Sequence, residues 1–253
     1  AMFKSIAVRV SQGSQFIPDP RQASPTGFRG RPLIGAADCA TDCAACVAAC
    51  PTAAITLNPV AIDLGRCVLC GDCEPACPSA RISFGNDVAM AATDRHKLTV
   101  SQCRPELDPI KVNEALRQRF GRSLKLRSVS AGGCNGCELE VNALTNVNFD
   151  IGRFGIDIVA SPRHADALVL TGPVTRNMAE ALERTWDAMP APKIVIAVGA
   201  CAISGGPYAE SPALARDFLG RFAPTLWVPG CPPHPLSIVC GVLDLLGIPS
   251  GKA

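Results

Sequence analysis

Aromatic residues make up only 5% of the 253 residues, too few for a base-stacking platform. Neither sign of charge dominates. The 24 Lys and Arg against 22 Asp and Glu leave a formal charge of +2, which argues against an extended nucleic-acid surface. No uninterrupted apolar run of about 18 residues occurs, so no transmembrane helix is expected. The longest candidate, Leu236 to Ile248, is shorter and carries Asp244. Lys4 and Arg9 flank no apolar run adequate for a signal peptide, and Ala1 ahead of Met2 reads as an expression remnant. There is no Gly-x-Gly-x-x-Gly and no phosphate loop, so nucleotide or flavin binding has no support. No Ser/His/Asp arrangement is evident, and no catalytic residue is assigned.

Cysteine is abundant instead, at 14 residues, although below the density of a disulfide scaffold. Without a signal peptide, a reducing cytoplasm is expected, where thiols serve metals or catalysis. Nine cysteines fall between Cys39 and Cys103, two are Cys134 and Cys137, and three are Cys201, Cys231 and Cys240. Within the first stretch the chain repeats itself. Cys43-x2-Cys46-x3-Cys50-Pro51-Thr52-Ala53-x-Ile55 returns 27 residues later as Cys70-x2-Cys73-x3-Cys77-Pro78-Ser79-Ala80-x-Ile82. So short a unit implies two pseudo-symmetric halves stacked on each other.

With Cys39 and Cys67 added, these runs have the two-cluster pattern in which the fourth cysteine of each run ligates the other cluster. Cys39, Cys43, Cys46 and Cys77 are therefore assigned to one 4Fe–4S cluster, and Cys67, Cys70, Cys73 and Cys50 to a second. The first run departs from the pattern by one extra residue between Cys39 and Cys43. Zinc favours paired Cys-x2-Cys knuckles and does not account for eight cysteines with two Cys-Pro ends. The segment has few large apolar side chains, so the clusters are expected to serve as its core.

Residues 105–121 read as a helix, with Asp108 as cap, Pro109 in the first turn and Gly121 at the end. The basic run Arg117, Arg119, Arg122, Lys125 and Arg127 is either a solvated face or a docking surface for a partner or acidic lipid. From Leu126 the pattern alternates. Leu126–Val129, Ile156–Ala160, Ala167–Thr171, Ile194–Val198 and Thr225–Val228 read as strands. Glu138–Asn146, Asn177–Ala188, Pro212–Arg221 and Leu236–Leu246 read as helices. This predicts an α/β fold with a doubly wound, mostly parallel sheet, preceded by a small α+β domain. A second constellation follows the strands: Cys134-x2-Cys137-Glu138, Gly199-Ala200-Cys201, and Pro229-Gly230-Cys231-Pro232-Pro233. In an open parallel sheet such loops converge at the carboxyl edge, so a third 4Fe–4S cluster fits Cys134, Cys137, Cys201 and Cys231. The bland reading is that they are buried small hydrophobes. Cys240 reads as core, and Cys103 is unassigned.

Residues 126–248 resemble the small subunit of nickel–iron hydrogenases, especially the membrane-associated formate-hydrogenlyase and energy-converting group. The resemblance rests on Gly132-Gly133-Cys134-Asn135-Gly136-Cys137-Glu138-Leu139-Glu140, Phe154-Gly155-Ile156, Ser161-Pro162-Arg163-His164-Ala165-Asp166, Thr171-Gly172-Pro173-Val174-Thr175, and the Cys201 and Cys231 motifs. The same core is shared with a complex I subunit that carries its terminal cluster. Residues 2–100, with Phe28-Arg29-Gly30-Arg31-Pro32 ahead of the cysteines, resemble the ferredoxin-like partner subunit of the same complexes.

The resemblance implies a fusion of subunits that are separate in many relatives. It comprises a ferredoxin-like domain over 1–100, a helical linker over 101–125 and a flavodoxin-like hydrogenase-small-subunit domain over 126–253. It implies an oxidoreductase subunit that relays electrons through three 4Fe–4S clusters. The nickel–iron centre would lie in a separate large subunit. A further redox partner, such as formate dehydrogenase or another electron donor or acceptor, is expected, as are membrane subunits. Location would be cytoplasmic, peripheral on the inner face of the membrane. Glu138 would face the large subunit, in proton movement or at the interface. His164 reads as structural. The alternatives are a cluster-bearing subunit of a complex I-like quinone oxidoreductase, known for adjacent cysteines where this chain has Cys134-x2-Cys137, and a stand-alone ferredoxin carrier.

Overall fold

The computed structural model describes residues 2–13 and 15–250; Ala1 lies outside them. Five strands form the main sheet: β1 Leu124–Ser130, β2 Ile156–Ile158, β3 Ala167–Thr171, β4 Ile194–Val198 and β5 Leu226–Val228. All neighbours are parallel and the order is β5-β4-β3-β1-β2, the flavodoxin-like order. β3 and β4 are buried at every residue, as central parallel strands covered on both faces must be. Leu168, Leu170, Val195 and Ala197 join one core. Val169, Ile194, Ile196 and Val198 join the other.

The second core is closed by the helices Gly136–Ala143 and Pro235–Leu246. Every residue of Pro235–Leu246 except Asp244 is buried, Cys240 among them, which is what an apolar helix without a polar stripe demands. On the first face sit the helix Arg176–Ala188, through Leu182 and Trp186, and the cysteine-rich unit, through Ile62, Leu98 and Val100.

That unit is built from small pieces. Pro32–Ile34 pairs antiparallel with Ile82–Phe84. Ile55–Thr56, Ala61–Asp63 and Thr99–Ser101 form a three-stranded sheet. Two four-residue helices, Ala45–Ala48 and Cys73–Ala76, occupy the two halves of the repeat. The unit is fastened to the main sheet. Ala92 and Trp227 exchange both backbone hydrogen bonds, at 3.0 and 2.8 Å, which covers the exposed edge of β5. The segment before the unit is strapped across the α/β half. The Ile17 amide donates to the Asn148 carbonyl at 2.9 Å, and Arg21 pairs with Asp244 at 2.7 Å.

Two helix expectations need correction. The helix expected over 105–121 spans only Glu114–Phe120 and is capped by the Asn113 side chain, not Asp108. Pro109 disfavours helical backbone at Asp108, whose carboxylate instead meets Arg104 at 3.1 Å and Lys97 at 3.3 Å. The helix expected over Pro212–Arg221 spans only Asp217–Arg221. Its first half pairs with the turn after β3: the Arg176 amide donates to the Ala213 carbonyl and the Ala215 amide to the Val174 carbonyl, both at 2.8 Å.

Candidate metal centres

The repeated Cys-Pro turns show why the motif has its spacing. Ala53 and Ala80, equivalent in the repeat, both take a left-handed backbone with φ of 48° and 46°. That turn aims the following amide back at the cysteine. The Ala54 N–H donates to Cys50 Sγ at 3.2 Å and the Arg81 N–H donates to Cys77 Sγ at 3.3 Å. Amide donors to sulfur stabilise negative charge on a ligated thiolate and tune its potential.

The structure brings Cys50, Cys67, Cys70 and Cys73 together around a small hollow bounded by Ile62 and Phe84. Burial pushes the Cys67 thiol up to about 12, with Cys73, Cys50 and Cys70 adding to it. Burial pushes Cys73 up to about 11, with Cys70, Cys50 and Cys46 adding. Cys46 is raised by burial and then by Cys77 and Cys39. Cys43 lines a wider hollow together with Cys39, where the Arg81 guanidinium donates to Cys39 Sγ at 3.4 Å. Cys103 stands apart, exposed.

The third group forms at the carboxyl edge of the main sheet. Cys134 and Cys137 leave β1, Cys201 lies on the helix Ala200–Ser204 after β4, and Cys231 follows β5. All four line one cavity of about 90 Å³ with Glu138. Burial pushes Cys137 up to about 12, with Glu138, Cys201, Cys231 and Cys134 adding. Burial likewise pushes Cys201 up to about 11 and raises Cys231. Glycine makes the room. A β-carbon at Gly199 (φ +94°) would lie 2.5 Å from Cys137 Sγ, and one at Gly206 (φ +54°) would lie 2.9 Å from Cys201 Sγ. The site is therefore a sulfur-lined cradle that any side chain at these positions would fill.

This donor set fits a cluster better than a single ion. A zinc ion needs its thiolates about 2.3 Å from one point. Among the described residues no three His, Cys, Asp or Glu side chains are gathered to hold a single ion. A cubane takes its four thiolates at separate corners.

Glu138 sits at the rim of this cradle, and its Oε1 accepts from Thr171 Oγ1 at 2.7 Å. Burial pushes its carboxyl up, but hydrogen bonds from Ser130, Thr171 and its own backbone outweigh that, and the net direction is down. An anion is thus fixed beside the thiols. Glu140 is raised by burial. His164 and His96 are exposed and line none of the three hollows.

Three arginines at these sites escape sequence reasoning as ligand neighbours. Arg81 reaches Cys39 as above. Arg29 donates to the carbonyls of Leu69 and Cys70. Arg216 donates to the carbonyl of Cys201 at 3.0 Å. Only Arg29 left a trace, in the Phe28–Pro32 motif.

A parallel α/β sheet with four thiols at its carboxyl edge, joined to a doubled Cys-x2-Cys-x3-Cys-Pro unit, defines an iron–sulfur electron-transfer protein of the oxidoreductase complexes. The chain belongs to the family of the 20 kDa subunit of NADH:ubiquinone oxidoreductase. The model of that family matches residues 134–245, and a 4Fe–4S dicluster domain matches residues 38–81. A probable membrane-bound hydrogenase subunit of Pyrococcus furiosus is 45% identical over 125 residues, which are 49% of this chain and 74% of that protein. Formate hydrogenlyase subunit 7 of Escherichia coli is 41% identical over 134 residues, 53% of this chain and 52% of that one. An NADH-quinone oxidoreductase subunit of Bacteroides thetaiotaomicron is 39% identical over 128 residues, 50% of this chain and 64% of that one.

Proposed function

We propose that this chain is the electron-transfer subunit of a multisubunit nickel–iron hydrogenase, a fusion of a two-cluster ferredoxin-like unit with a hydrogenase small subunit. The observation that supports the reading is that two sets of four cysteines each line one hollow, while Cys39 and Cys43 share a third and Cys46 feels Cys77 and Cys39. Cys39, Cys43, Cys46 and Cys77 would hold one 4Fe–4S cluster, Cys50, Cys67, Cys70 and Cys73 the second, and Cys134, Cys137, Cys201 and Cys231 the third. Bound there, the clusters supply one-electron redox chemistry; the chain supplies position, burial and hydrogen bonds to sulfur.

Interconversion of hydrogen with protons and electrons is assigned to a large-subunit partner. The third site is open on one side, since Cys134 and Cys231 are exposed and neighbouring Leu139 is 60% exposed. The exposed thiols leave this face accessible to that partner. Glu138 is fixed at the same rim as a proton-transfer or interface carboxylate. The two N-terminal sites would face a further redox protein. No described helix is long and apolar enough to cross a membrane, so attachment to one is assigned to partner subunits.

A second reading is the cluster-bearing subunit of a complex I-like quinone oxidoreductase. The identity to the NADH-quinone oxidoreductase subunit of Bacteroides thetaiotaomicron favours it; the separation of Cys134 from Cys137 speaks against it. Anoxic affinity purification from the native host, with metal analysis and hydrogen-driven dye reduction, decides. A stoichiometric partner carrying nickel, with activity and about twelve irons per chain, is the expected result. A tight partner without nickel or hydrogen activity would put the quinone-reductase reading first.

A further inference from the structure

The strongest unexplained charge in the α/β half is Arg216. Its Nη1 donates to the carbonyls of Pro173 and Cys201, both at 3.0 Å. Its Nη2 donates to Ala202 at 2.8 Å and Ile203 at 3.0 Å. One guanidinium thus satisfies four carbonyls from two loops, a task that suits a planar fork and not a lysine ammonium. Three of these carbonyls belong to the helix Ala200–Ser204 that carries Cys201. The fourth belongs to the turn after β3, where Val174 is buried with φ 62°, a backbone that a β-branched residue adopts only under constraint.

Arg216 is half-buried, and among the described residues no carboxylate pairs with it. The charged groups it feels are the Cys201 thiol and the cation Arg95, and Arg95 is already paired with Asp63 at 2.7 Å. A half-buried cation without a counter-ion is costly. Thiolates and a cluster at the neighbouring site would bring it the opposite charge. The chain also departs from helix over 212–216 to place this residue, as described above.

We infer that Arg216 is a positioning residue for the site of Cys134, Cys137, Cys201 and Cys231. It holds the Cys201 loop and the Pro173 turn in register, and its charge favours the reduced state of the group bound there. The inference rests on the cluster reading of that site. An electron added near a fixed, half-buried cation is stabilised, and net charge near a cluster is one of the determinants of its potential.

The test is an EPR-monitored redox titration of the anoxically purified native complex carrying R216Q or R216K. In R216Q the reduction equilibrium of the third cluster is expected to shift about tenfold toward the oxidised state, ~59 mV for a one-electron couple. The two N-terminal clusters should not move. R216K, which keeps the charge and loses the fork, should stay within about threefold of the wild type. An unchanged potential in R216Q, an equal shift of all three clusters, or a shift in R216K as large as in R216Q would overturn the inference. If R216Q fails to assemble the third cluster, R216K decides: assembly with a near-native potential supports the inference, assembly with a shift of about tenfold overturns it, and failure of both supports the positioning role and overturns the electrostatic one. A wild-type complex without a third cluster signal would sink the underlying reading instead, before any variant is compared.

Discussion

The cysteine-rich unit and the parallel sheet hold their thiols by opposite means. In the first, the strands run two or three residues, and seven of the eight thiols come from two short stretches with Cys39 just ahead. In the second, β1, β3 and β4 run seven, five and five residues, and four thiols come from three loops spread over about a hundred residues. The sheet has two apolar faces to bury and positions its loops whether or not anything binds between them. The cysteine-rich unit has a thin core, with Cys46 and Cys73 themselves among its buried residues. On the proposed assignment, a group bound where the cysteines are close in sequence would organise the chain, and where they are distant the chain would organise the group.

Removing iron is the harshest way to break this comparison. Anoxic chelation followed by hydrogen exchange should release the amides of Ile55, Ile62 and Ile82 by at least ~100-fold, while Val169 and Ile196 change by less than ~threefold, because metal binding is folding free energy only where no core substitutes for it. Equal loss of protection in both halves would show that the sheet, too, depends on its cluster.

A smaller effect is expected inside the cysteine-rich half. The Arg31 side chain, 8% exposed, meets Asp87 Oδ2 at 2.6 Å and also donates to the Pro105 carbonyl. Arg31→Ala strands Asp87, but that carboxylate is 40% exposed, so the cost should be about 2 kcal/mol, below the range for a fully buried pair. Denaturant unfolding of the iron-loaded chain measures it. Since Arg31, Asp87 and Pro105 all precede the main sheet, the loss should appear as a separate, earlier transition of the cysteine-rich unit. A single transition shifted as a whole would mean that the two halves unfold together.

The smallest effect lies at the boundary between the halves. His234 packs against Phe28 and Phe149, with ring centroids 5.0 and 5.8 Å away. Its Nδ1 accepts from the Leu236 N–H at 3.1 Å, capping the helix Pro235–Leu246. Burial lowers its pKa from the ordinary 6.5, so the folded state favours the neutral ring. That contribution is complete above about pH 6.5 and is lost as pH falls through the lower folded value. The melting temperature should therefore drop on acidification, and H234N, which still caps but does not titrate, should remove that part of the slope. His234→Leu should cost about 1 kcal/mol at neutral pH. Parallel pH profiles in wild type and H234N would exclude His234 as the titrating group.

Much of the architecture was legible in the chain. β3 and β4 could be read to the residue, because strands covered on both faces show unbroken apolar runs, and the parallel character of the sheet followed from the alternation. The repeat and the strand-end glycines marked the cysteines that line the hollows of Cys50 and of Cys134. What escaped was whatever depends on contacts distant in sequence. Asp108 has the chemistry of a cap but is taken by Arg104 and Lys97, and Ala213 and Ala215 give up helix to pair with the turn after β3. Arg216 is one arginine among many until four carbonyls from two loops surround it. The left-handed Ala53 and Ala80 are hidden for another reason: alanine there carries no compositional sign of the turn it makes.

The exchange of backbone hydrogen bonds between Ala92 and Trp227 sets an order of events during synthesis. The two partners are more than a hundred residues apart, and at ~5–20 residues per second the ribosome delivers the second several seconds after the first. Throughout that interval the cysteine-rich unit has emerged but has no sheet edge to sit on. Its seating must await β5. On the proposed cluster assignment, delivery of iron and sulfide to its eight thiols could therefore begin on a nascent chain, whereas the third site, which would need Cys231, could be filled only after the chain through β5 has emerged.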